Sequence, residues 1–148
     1  MADNIDEFAD ELQEKIIEEM KREYTETAVE HWIHPRNLGK IEDADAYGRI
    51  TGPCGDTMEI YLKIKKGKIT GAHFITDGCG GTIVCGSVIT ELATGKYPGE
   101  AEEITQEVIL GHLGGLPEAN RHCALLAANT LQEALKNYKK LKKTTKAD

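Results

Sequence analysis

The sequence predicts an α+β fold, a small three-stranded antiparallel sheet packed against several helices, with an extra amphipathic helix at the N-terminus. Three observations predict it. Between residues 46 and 76 apolar residues alternate with polar ones, the period of half-buried strands, whereas on both sides they recur at steps of three and four, the period of helices. Only 5% of the residues are aromatic and the apolar ones are mostly aliphatic, which disfavours an all-β sandwich. A length of 148 residues is one domain's worth and can bury a core without staples.

Taken in order, Ile5, Phe8, Leu12, Ile16 and Met20 form one apolar stripe among Asp and Glu, which predicts a helix over residues 1–23. Five large apolar side chains would have to be covered, by the body of the domain or by a second copy. Tyr24 to His34 is again helical in composition, with Val29 and Trp32 on one face, and stops at Pro35; residues 1–34 form one bent helix or two. Tyr47–Thr51 reads as a strand, and Met58, Ile60, Leu62 and Ile64 mark the next one. Lys66-Gly67 is its hairpin turn. Ile69–Thr76 returns with a candidate bulge at Gly71, because Ile69 falls out of the alternation kept by Ala72, Phe74 and Thr76. A helix over Gly80–Thr94 carries Val84, Cys85, Val88 and Leu92 and ends at Gly95. Thr105 caps a short helix with Val108, Ile109 and Leu113, broken at Gly114-Gly115-Leu116-Pro117. The last helix starts near Glu118, presents Leu125, Ala128, Leu131, Leu135 and Tyr138 on one face, and is expected to dissolve into a lysine-rich tail over 139–148. The domain proper is therefore expected over 24–138.

The net charge of −7 argues against a nucleic-acid partner. Residues 1–23 hold nine acids against three bases, and residues 136–148 six lysines against Asp148. Both read most simply as solvated faces. No stretch is apolar for the length of a membrane span, and the acidic start lacks the basic flank and apolar run of an export signal. These features predict a cytoplasmic protein whose four cysteines meet a reducing environment, where thiols are ligands or nucleophiles more often than disulfides.

Three of the cysteines stand in loop-like settings. Cys54 and Asp56 lie in Gly52-Pro53-Cys54-Gly55-Asp56, Cys79 in Gly78-Cys79-Gly80-Gly81, and Cys123 follows His122. No Cys-x-x-Cys pair exists, so spacing alone matches no zinc finger or ribbon. The settings are more informative: small, turn-forming neighbours keep each thiol accessible, and Cys79 precedes a helix whose free N–H groups favour a thiolate. Sulfurs with one carboxylate suit zinc or an iron-sulfur cluster, with the hard oxygen as the weakest holder of a soft metal. Asp56 could equally brace its own loop. His122 is a candidate ligand, although an immediate neighbour of Cys123 does not easily share its direction. Cys85 belongs to an apolar stripe and reads as a core thiol; His31, His34, His73 and His112 show no partner spacing. The glycines around Cys79 lack the Lys-Ser/Thr of a phosphate loop.

The segments Tyr24–Gly39, Gly52–Asp56, Ala72–Gly80 and Leu116-Pro117 leading to His122-Cys123 together resemble the IscU family of iron-sulfur cluster assembly scaffolds, shared with the N-terminal domain of NifU. The resemblance covers about Tyr24 to Tyr138. It implies that persulfide sulfur from a cysteine desulfurase or other sulfur donor joins iron and electrons from a ferredoxin-type donor. It further implies a [2Fe-2S] cluster held by Cys54, Asp56, Cys79 and Cys123 until recipient apoproteins take it, in a scaffold that is not an enzyme. Cys123 is then the persulfide acceptor, His122 an alternate ligand, and zinc an alternative occupant. Three features depart from the family. Leu116-Pro117-Glu118-Ala119-Asn120 replaces the bacterial Leu-Pro-Pro-Val-Lys, so the resemblance does not extend to handover through an Hsp70-type chaperone; residues 1–23 precede the usual start; Cys85 is extra. The insertion of the zinc-bound, SufU-type sulfur acceptors is absent. A SufU-like sulfur acceptor and a plain structural zinc domain are the rival readings, and a homodimer is a possible assembly.

Overall fold

The structure is a computed structural model that describes the backbone of residues 2–147 and the side chains of residue 5 and residues 7–142; the remaining charges of the two terminal segments lie outside it. The element order is α1 (Ala2–Glu23), α2 (Glu26–Ile33), β1 (Ala46–Thr51), β2 (Thr57–Lys65), β3 (Lys68–Thr76), α3 (Gly80–Ala93), α4 (Pro98–Ala101), α5 (Gln106–Leu113) and α6 (Arg121–Ala147), with a 3-10 turn at Glu118–Asn120 before α6. The expected α+β architecture is observed, with the strands in antiparallel order β1-β2-β3. No helix among the described residues is long and apolar enough to cross a membrane.

Residues 1–34 form two helices because Thr25 breaks them. Its backbone is extended, its hydroxyl accepts from Ala28 N at 3.1 Å as the cap of α2, and the same hydroxyl donates to Leu113 O at 2.5 Å. The bulge falls one residue from its expected place: Lys63 pairs with Gly71 and Ile64 with Ile69, leaving Thr70 over, which returns Ile69 to the buried face. That face presents Met58, Ile60, Leu62, Ala72 and Phe74, all buried, to α3 and α6. Gly48 lets α6 approach closely, since a Cβ there would lie 2.4 Å from Ala134 N. On the outer layer α2 packs on α3 and α5 on α6. His31, which showed no role in the sequence, is a buried stitch: its Nδ1 lies 2.7 Å from Ser87 Oγ, which also accepts from Arg36 N at 2.9 Å.

Four features differ from expectation. Of the two covers expected for the α1 stripe, the body is not one: Ile5, Phe8, Leu12 and Ile16 are 70, 66, 50 and 40% exposed, since α1 packs on the domain chiefly through α2. The lysine-rich end does not dissolve but stays helical to Ala147, as lysine is a good helix former, no Gly or Pro interrupts, and cations suit a helix C-terminus. Val108 and Leu125 are exposed rather than core, the inward face of α6 being built instead on Ala124, Ala127, Leu131, Ala134 and Leu135. α4 was not anticipated; Pro98 starts it and Glu100 Oε1 accepts from Tyr97 N at 3.0 Å.

Candidate metal centre

The three loops meet at one end of the sheet. Thr51 pairs with Thr57, so residues 52–56 are the tip of the β1–β2 hairpin, closed by Gly52 N donating to Asp56 O at 2.8 Å and Gly55 N to Gly52 O at 3.0 Å. The β3–α3 loop is tied to the start of β2: Thr57 N donates to Asp77 Oδ1 at 2.8 Å and Thr76 Oγ1 to Thr57 O at 2.7 Å. Cys79 is the N-cap of α3, and Cys123 lies in the first turn of α6. Each ligand-bearing segment is thus anchored on a buried element, which fixes the thiols relative to one another.

One side chain joins the group. Thr82, buried in the first turn of α3, places Oγ1 3.1 Å from Asp56 Oδ2, 3.4 Å from Cys123 Sγ and 3.9 Å from Cys79 Sγ. The Asp56 carboxylate therefore reaches across to α3; the backbone of the hairpin, not this side chain, closes its loop. On the solvent side Cys54, Asp56 and His122 offer ligand atoms all within 4.8 Å of one another. His122 Nε2 also lies 3.7 Å from Cys123 Sγ, so the two neighbours do share a direction, contrary to expectation. The 3-10 turn immediately before α6 carries the chain into this geometry. Cys54 and Cys79 are exposed, Cys85 and Cys123 buried.

The electrostatics separate the thiols. Burial pushes the Cys79 thiol up, but the N–H groups of Thr82 and Gly81 and the Thr82 hydroxyl outweigh it, so Cys79 ends below the ordinary thiol range. Cys123 is pushed up to about 11, chiefly by burial, with the Thr82 hydroxyl opposing and the nearby Cys79 and Asp56 charges adding. Cys85 is driven up by burial further still, as befits a core thiol. Tyr24 belongs to the surroundings: burial and the charges of Cys79 and Cys123 raise its phenol, and its hydroxyl accepts a hydrogen bond from Asn120 Nδ2. A cleft of 180 Å³ beside Cys54 and His122 is lined by Ile50, Pro53, Leu125 and Leu126 among others, which accounts for the exposure of Leu125.

The five candidate site residues of the sequence, Cys54, Asp56, Cys79, Cys123 and His122, converge here. Thr82, Tyr24 and Asn120 join them from positions that no ligand pattern in the sequence marks. Thr82 carried one usable signal, its place three residues into a helix that begins at a candidate ligand.

A family model described as the NifU-like N terminal domain matches residues 23–145. Iron-sulfur cluster assembly scaffold protein IscU 1 of Archaeoglobus fulgidus is 44% identical over 116 residues, covering 78% of this chain and 76% of that protein. The Aquifex aeolicus scaffold protein IscU is 38% identical over 122 residues, 80% of this chain and 78% of its own length. The Drosophila melanogaster protein, called an iron-sulfur cluster assembly enzyme IscU, is 38% identical over 121 residues, 78% of each chain. Among solved structures, SufU of Fervidobacterium islandicum shares the fold with a TM-score of 0.64 at 24% identity, over 76% of this chain and 96% of that one. A NifU-like N-terminal protein from Brucella abortus does so with a TM-score of 0.62 at 18% identity, over 78% and 94%. On the strength of the family match and these relatives, the chain belongs to the NifU N-terminal family of IscU-type iron-sulfur cluster assembly proteins.

Proposed function

We propose that this protein is a scaffold on which an iron-sulfur cluster is assembled and from which it is handed on, and that it does so as a platform rather than as an enzyme. The cluster is cargo. The observation that carries the reading is the convergence of three sulfurs and one carboxylate from three separately anchored segments at an exposed end of a rigid core. In this reading Cys54, Asp56, Cys79 and Cys123 hold a [2Fe-2S] cluster, and His122 stands by as an alternate ligand.

The chemistry needs three kinds of partner: a cysteine desulfurase or other sulfur donor, a ferredoxin-type electron donor that reduces persulfide sulfur to sulfide, and recipient apoproteins. Cys123 accepts the persulfide in this account. Its burial means that donor docking must uncover it, whereas Cys79 is the exposed thiolate-favoured sulfur before loading. Zinc is the alternative occupant, favoured by one specific observation: sulfur, oxygen and nitrogen donors from Cys54, Asp56 and His122 lie close enough to share one ion, a mixed set that zinc accepts.

Anaerobic reconstitution with iron and sulfide, followed by a visible spectrum, tests the reading. A brown protein with sulfur-to-iron charge-transfer bands is expected. A colourless protein that retains stoichiometric zinc and excludes iron would transfer the reading to a zinc-bound sulfur acceptor.

A further inference from the structure

We propose that Thr82 is a positioning residue of the cargo site, whose hydroxyl stands between the Asp56 carboxylate and the Cys123 sulfur and sets how those two ligands face the cargo. This rests on the scaffold reading above and adds to it a group that ties two ligands to α3.

The hydroxyl's direction is the first argument. Buried helix threonines elsewhere in this chain bond back to their own helix: Thr90 Oγ1 donates to Gly86 O at 2.8 Å and Thr130 Oγ1 to Leu126 O at 2.7 Å. For Thr82 the residue four back is Gly78, which precedes α3, and its hydroxyl lies instead against Asp56 and Cys123. The surroundings are built to that group. A Cβ on Gly78 would lie 2.7 Å from Thr82 Oγ1 and 2.9 Å from Asp56 Oδ2, so only a glycine leaves the pair room.

The hydroxyl's reach supplies the second argument. Its oxygen lies 3.1 Å from Asp56 Oδ2, 3.4 Å from Cys123 Sγ and 3.9 Å from Cys79 Sγ, so ligands from the hairpin, from α6 and from the start of α3 all border one hydroxyl. From there the hydroxyl orients the Asp56 carboxylate and offers the Cys123 sulfur a hydrogen bond that moderates its donor strength.

Cobalt(II) alone is the probe, added anaerobically to the full chain against a competing chelator, with the sulfur-to-cobalt charge-transfer band as a second readout. Thr82→Val keeps the shape and removes the hydrogen; it should weaken cobalt binding by about tenfold and move the band to lower energy. Thr82→Ser should restore both. Wild-type affinity with an unmoved band in Thr82→Val, or a serine variant as weak as the valine one, overturns the proposal while leaving the scaffold reading standing. If Thr82→Val loses its helical circular dichroism, Thr82→Ala is read against the same two outcomes. Absence of any sulfur-to-cobalt band in the wild type overturns the site itself, and this proposal with it.

Discussion

Alkylation with iodoacetamide, before any metal is added, should label Cys79 well ahead of Cys123, and the size of the gap follows from their surroundings. Cys79 lies below the ordinary value of 9.0, whereas Cys123 is pushed up to about 11. Thiolate fraction changes tenfold for each step of one in pKa, so near neutral pH Cys79 holds at least about 100 times more thiolate. The less basic sulfur is the weaker nucleophile, which returns about tenfold over the same gap and leaves Cys79 at least about tenfold faster. Access widens the difference, because Cys79 is exposed and Cys123 is buried. Rates are read by quenching at intervals and mapping labelled peptides by mass spectrometry across a range of pH. Thiolate forms as pH rises through the pKa, so the labelling rate of Cys79 should pass its half-point below pH 9.0, while that of Cys123 is still climbing there. Equal rates, or Cys123 first, would refute the reasoning that burial outweighs the Thr82 hydrogen bond at Cys123.

Replacing Asp56 by Cys, or by Ala, should slow cluster transfer to an apo-ferredoxin several-fold while the [2Fe-2S] spectrum persists, since a carboxylate is the ligand most easily displaced by an incoming thiolate; unchanged rates in both variants would leave Asp56 a structural partner of Thr82 only. Deleting residues 1–22 should change the sedimentation behaviour, because the exposed stripe leaves on the order of 5 to 10 kcal/mol of burial unused. The melting temperature should move by no more than about 2 °C, since α1 packs so little on the body. Gly48→Ala places a methyl group 2.4 Å from Ala134 N and 2.7 Å from Thr130 O, backbone atoms that cannot turn away. Thermal denaturation should show a loss of about 3 kcal/mol, or about 6 to 12 °C in Tm.

Much of this molecule was legible because period carries burial. Met58, Ile60 and Leu62 alternate in the sequence and are fully buried in the sheet, and the misfit of Ile69 announced a bulge that the register then showed. Caps were equally direct, Thr105 accepting from Val108 N at 3.4 Å as its position implied. What period cannot carry is which apolar residue borders a site. Leu125 fits the stripe of α6 but faces the cleft beside Cys54 and His122. The α1 stripe is a sound helix signal with no information about what covers it. At the site, the ligand-bearing loops could be read from cysteines among turn residues, but the shared direction of His122 and Cys123 depends on the turn before α6. The role of Thr82 depends on where the first turn of α3 points, which needs all three loops in place at once.

The ligand set is the central claim, and single serine variants of each cysteine under anaerobic reconstitution test it most directly. Cys54→Ser, Cys79→Ser and Cys123→Ser should each lose or visibly alter the [2Fe-2S] spectrum, because a missing thiolate opens an iron position to water, whereas Cys85→Ser should retain it, its side chain lying in the core. A normal cluster in any of the first three variants, or its loss in a folded Cys85→Ser protein, would contradict the account.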